Sequence, residues 1–476
     1  MTKKPLPLAV DLDGTLIKTD VLHEALILFM QCYPWKLFHL IIWWSRGRAY
    51  LKQQLAKHVS LAAAYLPYHP TFLAFLKEEK KKGREIILAT AADKRFAQAV
   101  CEHLKLFDDY IASEGTVNLR SAAKGERLNQ RYGRGRYAYA GNSRHDLPIW
   151  KEAGEIIAVN TPKRVLQCAE NLKKPLHIFE SSRILPGMIE ALRPWQWVKN
   201  VLIILPLIAG HKILELPKLI SALAAVLLFC FAASAIYIVN DLLDLVADRQ
   251  HPTKRMRPFA RGAVPIPQGL YVACGLLVIS IFASFYISTA FFKVIVFYLS
   301  LTTAYSAYLK KLVLVDVLVL AGLYITRVYA GYTACELPLS HWLLGCALFL
   351  FLSLAFMKRY TELRDVPLES QAKAIRIPGC GYQSDDLEQV AIFGTVSGYI
   401  AALIIVFYVN SGDVLKLYTY PQWLWLLCPL FLYSISSLWL LARRGEMHQD
   451  PVLFASTQGN IYCVLALIGL LMLLAV

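Results

Sequence analysis

The chain has 476 residues, 57% of them hydrophobic and 18% charged, with a formal net charge of +16, and its mean hydropathy is +0.44. That length exceeds one ordinary domain, and the apolar bulk excludes a disordered chain and argues against a wholly soluble one. A greasy, basic chain suits an anionic membrane face or phosphate-bearing substrates; the apolar bulk argues against nucleic acid as the main partner.

The N-terminal stretch MTKKPLPLAVDLDGT is expected to run straight into a strand rather than to form a signal peptide. Strands are expected at 6–12, 85–90, 137–141 and 155–160, with helical patterns between them. That alternation predicts an α/β domain with a parallel sheet and crossover helices. Residues 1–192 hold 29 Lys/Arg against 19 Asp/Glu, and composition changes near residue 193. The ten cysteines are scattered with no C-x-x-C pair, so neither a zinc motif nor a thioredoxin-like motif is indicated. Those in apolar runs are expected to be buried small hydrophobes.

Asp11-Leu12-Asp13-Gly14-Thr15 follows the first apolar strand. Ligands bind at strand ends of parallel α/β sheets. There the first carboxylate can attack phosphorus, and the second can protonate the leaving oxygen. Gly14 lets the chain turn, and Thr15 can bond the loop. The motif resembles the DxDGT signature of the haloacid dehalogenase superfamily, over most of residues 6–165. The resemblance implies a Rossmann-like phosphatase domain at 1–180 with a helical cap at about 20–80. It further implies that Thr90, ending EIILAT, binds phosphate and that Lys124, in AAKGERL, neutralises the phosphoryl group and the nucleophile. In GNSRHDLPIW, Asn142 and Asp146 stand at the positions that bind Mg²⁺ together with Asp11 and Asp13. Asn142 departs from the acid common at its position, which weakens the expected metal affinity. The greasy stretches LILFM, WKLFHLIIWW and YLPYHPTF within 20–80 read either as cap core or as a surface resting on the bilayer or on the second domain. The run KEEKKKGR at 77–84 reads as a solvated helix end.

From residue 181 onward the chain reads as an all-α polytopic membrane domain. About 20 apolar residues make a spanning helix. Nine stretches approach that length: 200–214, 218–240, 269–290, 292–308, 312–333, 341–357, 389–410, 421–441 and 455–476. Alternate loops at 248–268, 309–313, 358–388 and 443–455 carry 14 Lys/Arg, and the opposite set carries four lysines. The asymmetry places the basic loops, and with them the N-terminal domain, in the cytoplasm.

Carboxylates near a bilayer are costly and usually functional. Asn240, Asp241, Asp244 and Asp248 cluster in NDLLDLVAD, and their spacing predicts three acids on one helical face. Such acids attract Mg²⁺, which can bridge to a diphosphate. Arg249, Lys254, Arg255 and Arg257 follow at once. Acid for a metal beside base for phosphate suits a diphosphate leaving group.

The string NDLLDLVADRQHPTKRMRP resembles the first signature of the UbiA superfamily of intramembrane transferases, over about 190–476. That family folds as nine helices around a central cavity open to cytoplasm and membrane. The second signature departs from the prenyltransferase pattern, because only Asp316 is present, with Leu320 four residues on. LRPWQWVKN, the YSAYLK element and MKRYTEL are instead similar to the branch of decaprenyl-phosphate phosphoribosyltransferases.

That branch implies phosphoribosyl diphosphate as donor and a polyprenyl phosphate as acceptor. Asp241, Asp244 and Asp248 would hold Mg²⁺ on the leaving pyrophosphate, with Asp241 and Asp244 counted as catalytic. Asn240, Lys254 and Arg257 would bind donor phosphates. Arg193, Lys199, Asn200, Lys310, Lys358 and Arg359 would bind lipid or ribose phosphates. The N-terminal domain would then remove the 5-phosphate, leaving polyprenyl-phosphoryl ribose. The expected setting is a bacterial inner membrane, with both sites facing the cytoplasm. Two rivals stay open: a prenyl diphosphate transferase with a tethered phosphatase, and a phosphate sensor on a transporter. Oligomeric state is not legible.

Overall fold

A computed structural model describes residues 5–114, 119, 121–180, 183–365, 381–412, 414–447 and 450–476. The chain forms two compact units. One joins Met1–Leu192 to Ile238–Val272; the other joins Arg193–Tyr237 to Ala273–Val476.

In the first unit, β1 (Leu8–Val10), β2 (Ile86–Asp93), β3 (Asp109–Ser113), β4 (Ala138–Gly141), β5 (Glu155–Val159) and β6 (Leu176–Phe179) make one sheet of order β3-β2-β1-β4-β5-β6. Every pairing is parallel. The central strands are apolar runs buried on both faces, as a sheet covered by helices on each side requires. Strands β3 and β6 were not expected from the sequence. They lie at the two edges and are largely half-exposed or exposed, so their apolar signal is weak.

Between β1 and β2 run four cap helices: α1 (Val21–Cys32), α2 (Leu37–Ser45), α3 (Arg48–His58) and α4 (Pro70–Lys81). Asp20 starts α1 by accepting the Leu22 amide at 2.8 Å. Phe29, Leu51, Leu55, Phe72 and Leu76 from the cap share a core with Leu8 and Val10 of β1. The helices α5 (Lys94–Leu104), α6 (Ala122–Tyr132), α7 (Leu147–Glu152), α8 (Lys163–Glu170) and α9 (Ile184–Leu192) complete the unit. Leu128, Tyr139, Ile149 and Trp150 form the core on the other side of the sheet.

The segment Ile238–Val272 packs into this same unit. A Cβ on Gly187 would lie 3.0 Å from the Val264 side chain, so the approach there is close. Gly262 turns with φ +69 where a Cβ would meet Lys18 at 2.8 Å, and only glycine serves both needs.

Seven helices among the described residues are long and apolar enough to cross a membrane: Leu216–Leu243, Ile266–Ile287, Thr289–Ala307, Val315–Cys335, His341–Arg364, Leu387–Val409 and Pro421–Arg444. The expected first span, 200–214, is instead a 3₁₀ stretch Pro194–Ile204 followed by the short helix Leu205–Ala209, with Pro206 at its start. The expected ninth is the 17-residue helix Gly459–Ala475. An eighth apolar pair, Val21–Cys32 with Pro34–Ser45, is bent by 114°. The spanning helices expose large apolar side chains such as Leu223, Phe282 and Tyr286, as lipid-facing surfaces do. In the basic loop expected at 358–388, Lys373 and Arg376 lie outside the described residues, as does Cys380.

Candidate active sites

Asp11 follows β1 and Asn142 follows β4, the two strands between which the sheet order reverses. A crevice opens at such a switch point. Here it is a cavity of about 410 Å³ whose lining includes Asp11, Asp13, Lys18, Arg48, Lys52 and Lys124. Lys124 Nζ donates to Asp11 Oδ1 at 2.8 Å and to the Tyr139 hydroxyl at 2.9 Å. Tyr139 in turn donates to Asp146 Oδ1 at 3.0 Å. The Val21 amide donates to Asp13 Oδ1 at 2.8 Å, which aims that carboxyl.

Burial raises the Asp11 carboxyl to about 6; the Lys124 ammonium opposes the shift and Asp146 adds to it. Burial also holds Asp13 well above the ordinary carboxylate range, with repulsion from Asp20 and Asp11 adding to the rise. A carboxylate paired with a lysine, beside a carboxyl whose hold on its proton is strengthened by burial, can attack phosphorus and protonate a leaving oxygen.

Two expected residues sit differently from their assigned places. Thr90 is fully buried and accepts the Ala92 amide at 3.0 Å; the cavity lining carries Ala91 instead. Asp146 Oδ2 accepts the amides of Asn142 and Ser143 and the Ser143 hydroxyl, so this carboxylate builds the loop. Sequence reasoning missed Tyr139, Lys18, Arg48 and Lys52. The last two stand on α3, where a cap sequence gives no spacing signal.

Among the described residues, no three His, Cys, Asp or Glu side chains converge as a ready metal cage. Mg²⁺ needs less, because it keeps waters and takes substrate oxygens beside one or two carboxylates. Asp11 and Asp13 line the cavity with Asn142. Gly14, at φ +72, brings the backbone so close that a Cβ would lie 2.0 Å from Asn142 Nδ2. This donor set fits a weakly held Mg²⁺.

The second acidic cluster also belongs to the first unit. Arg257 Nη1 donates to Asp241 Oδ1 at 3.1 Å and to Asp248 Oδ2 at 2.8 Å. Asp241 and Asp248 are buried, whereas Asp244 is exposed. The single helical face expected for three acids is interrupted, because the long helix ends at Leu243 and a new one starts at Leu245. Burial raises the Asp248 carboxyl, against the pull of Arg257. Here one guanidinium serves two carboxylates, so the pair fits a cation of higher charge. Asn240 is half-buried and Lys254 exposed.

In the helical unit, Lys199 pairs with Asp450 at 2.7 Å, and Tyr324 donates to the same carboxylate at 3.5 Å. Asn200 accepts from Arg327 Nε at 2.8 Å, and Arg327 Nη2 donates to the Tyr298 hydroxyl at 3.2 Å. Arg193 lies over the Tyr237 ring at 5.1 Å. Arg359 is buried and pairs with Asp316, Glu362 and Tyr305. Tyr382 donates to the other oxygen of Asp316 at 2.9 Å. Lys310 and Lys358 are half-buried. Arg327 and Asp450 were missed by sequence reasoning. An arginine inside an apolar 21-residue helix was the available signal for the first.

Residues 202–463 match the UbiA prenyltransferase family, and residues 8–151 match the haloacid dehalogenase-like hydrolases. A Sinorhizobium fredii protein described as uncharacterized protein y4nM is 34% identical over 98% of this chain and 90% of its own length. Nodulation protein NoeC of Azorhizobium caulinodans is 32% identical over 60% of this chain and 92% of its own. Decaprenyl-phosphate phosphoribosyltransferase of Corynebacterium glutamicum is 42% identical over 37% of this chain, a match spanning 54% of that relative. The chain is a multi-span membrane protein that belongs to the UbiA prenyltransferase family and carries a haloacid dehalogenase-like hydrolase domain ahead of it.

Proposed function

We propose that this enzyme moves 5-phosphoribose from phosphoribosyl diphosphate to a polyprenyl phosphate at the bacterial inner membrane and then removes the 5-phosphate. The observation that carries the reading is the state of Asp316. A prenyl diphosphate transferase of this family uses a second acidic pair on that helix for a second metal. Here the lone acid is fully buried and neutralised by Arg359, with Tyr382 on its other oxygen. The similarity to decaprenyl-phosphate phosphoribosyltransferase points the same way.

In the first step a phosphate oxygen of the lipid forms a bond to C1 of the ribose, and the bond from C1 to the pyrophosphate oxygen breaks. The acceptor is already an anion, so no base is needed. Asn240, Lys254 and Arg257 bind the donor phosphates, and Asp241, Asp244 and Asp248 are the acids that would hold the metal beside them. Mg²⁺ bound among these acids would supply positive charge to the leaving pyrophosphate.

In the second step Asp11 attacks the 5-phosphate, and Asp13 gives its proton to the departing ribose oxygen. Water then attacks phosphorus in the aspartyl phosphate, giving its proton to Asp13 and regenerating Asp11. Lys124 holds Asp11 in place and offsets the phosphoryl charge. Lys18, Arg48 and Lys52 suit the second anionic group that a lipid-linked phosphoribose carries, its phosphodiester.

The test is lipid mass spectrometry of purified protein given Mg²⁺, phosphoribosyl diphosphate and a polyprenyl phosphate, with Asp11→Asn beside wild type. Wild type is expected to yield lipid-linked ribose and the variant lipid-linked phosphoribose. If neither yields a ribosylated lipid across several acceptor lengths, the reading fails.

A further inference from the structure

Helix α2 leaves the cap core and turns its apolar side outward. Only Trp43 of α2 is buried; its ring packs at 5.1 Å from Phe29 and 5.1 Å from His58. Around that anchor, Trp35 is 76% exposed, Phe38 67%, Ile41 67% and Trp44 57%. Monomeric proteins rarely leave so concentrated an apolar surface uncovered.

We propose that the α2 hairpin of the cap inserts shallowly into an anionic bilayer surface. Three observations select a lipid surface as the occupant. First, the charge is one-sided. Lys36, Arg46 and Arg48 flank α2 and no acid lies between Glu24 and Glu78, a pattern that anionic headgroups attract and a second copy of the same surface repels.

Second, the chemistry is that of an interface. Exposed tryptophans alternate with cations, and Arg48 lies 5.6 Å from the centre of the Trp44 ring while Lys36 lies 4.9 Å from that of Tyr33. Amphipathic rings and long basic side chains together favour the headgroup boundary. Third, the geometry excludes a span. The nine residues of α2 reach only about 14 Å, half of a hydrocarbon core. Its partner α1 buries Val21, Ala25 and Phe29 in the cap core and is not free to enter lipid.

Docking this way has a consequence for the phosphatase. Arg48 both covers Trp44 and lines the 410 Å³ cavity. A hairpin seated among headgroups therefore holds that cavity at the level where a lipid-borne phosphate lies.

The test uses the full chain, otherwise free of cysteine, in nanodiscs of phosphatidylcholine and phosphatidylglycerol at about 3:1. Phe38→Cys and Ile41→Cys each carry an environment-sensitive fluorophore; Glu102→Cys, exposed on α5, is the aqueous control. Spin-labelled lipid is expected to quench the α2 probes several-fold more than the control, a label high on the acyl chain more than a deep one, while iodide quenches only the control. Iodide quenching at α2 without lipid quenching overturns the proposal. So does protection from both quenchers, which means protein covers the helix. Energy transfer between differently labelled copies that rises with protein-to-lipid ratio, without lipid quenching, assigns the surface to a second copy and also overturns it.

Discussion

Glu24 of the cap and Arg249 of the short helix Leu245–Gln250 form a two-pronged ion pair, at 2.7 and 2.9 Å, across 225 residues of sequence. Their side chains are 1% and 6% exposed. The helical segment that carries Asp248, directly after the helix end that carries Asp241, is thus tied to the cap by a buried charge pair, and Arg249 also donates to the Ala260 carbonyl at 3.0 Å. A charge left alone in such a place costs about 3–5 kcal/mol. Glu24→Met or Arg249→Met alone is expected to destabilise the protein by that order in thermal unfolding in detergent. The double variant is expected to recover most of the loss, because two apolar side chains can replace a buried pair. Additive losses in the double variant would show that the two residues act separately.

A pH prediction follows from Asp13. Burial, with Asp20 and Asp11 nearby, holds its folded carboxyl well above 3.8. A folded state that binds more protons than the unfolded one loses stability as pH rises through the interval between the two values. The cost is therefore absent at pH 3 and present at pH 8. In EDTA, Asp13→Asn is expected to melt a few degrees above wild type at pH 8, with the gap closing as pH falls toward 4. The amide oxygen can still accept the Val21 N–H. The same variant is expected to lose phosphatase turnover by about 10²–10⁴-fold. A gap independent of pH would show that Asp13 carries no buried charge.

How far this architecture was legible depends on range. DLDGT after an apolar run and Lys124 in a helix are local patterns; the NDLLDLVAD string is local too, but the break after Leu243 separates Asp244, exposed, from the buried Asp241 and Asp248. Thr90 closes the EIILAT strand, yet its hydroxyl is turned into the structure, onto the Ala92 amide, which strand position alone does not reveal. The pairings of Arg249 with Glu24 and of Arg359 with Asp316 join distant segments, so neither leaves a trace in spacing. The two edge strands escaped for a different reason: half-exposed strands of four or five residues do not need a continuous apolar run.

Arg257 gives a prediction for the transferase. It is the cation that Asp241 and Asp248 share. Arg257→Gln leaves two buried acids without that charge. Transfer from phosphoribosyl diphosphate is expected to fall by about 10²–10³-fold, the scale of losing one charge-stabilising donor. The lipid product assay reads this, and phosphatase activity on a small sugar phosphate should stay within a few fold of wild type. Loss of both activities together would mean that Arg257 holds the unit's fold.

Asp316 separates the two readings of the second signature. As a metal ligand it would set the Mg²⁺ requirement. As a buried partner of Arg359 and Tyr382 it sets the packing of two spanning helices, Val315–Cys335 and His341–Arg364. Asp316→Asn keeps the shape and one acceptor while removing the fully buried one of the two carboxylates that pair with Arg359. It is expected to lower thermal stability by about 3–5 kcal/mol, the cost of a buried ion pair broken on one side. In the protein that remains folded, the Mg²⁺ concentration giving half-maximal transfer is expected to be unchanged. A rise of tenfold or more in that concentration, with stability intact, would return Asp316 to the metal and restore the prenyl diphosphate reading.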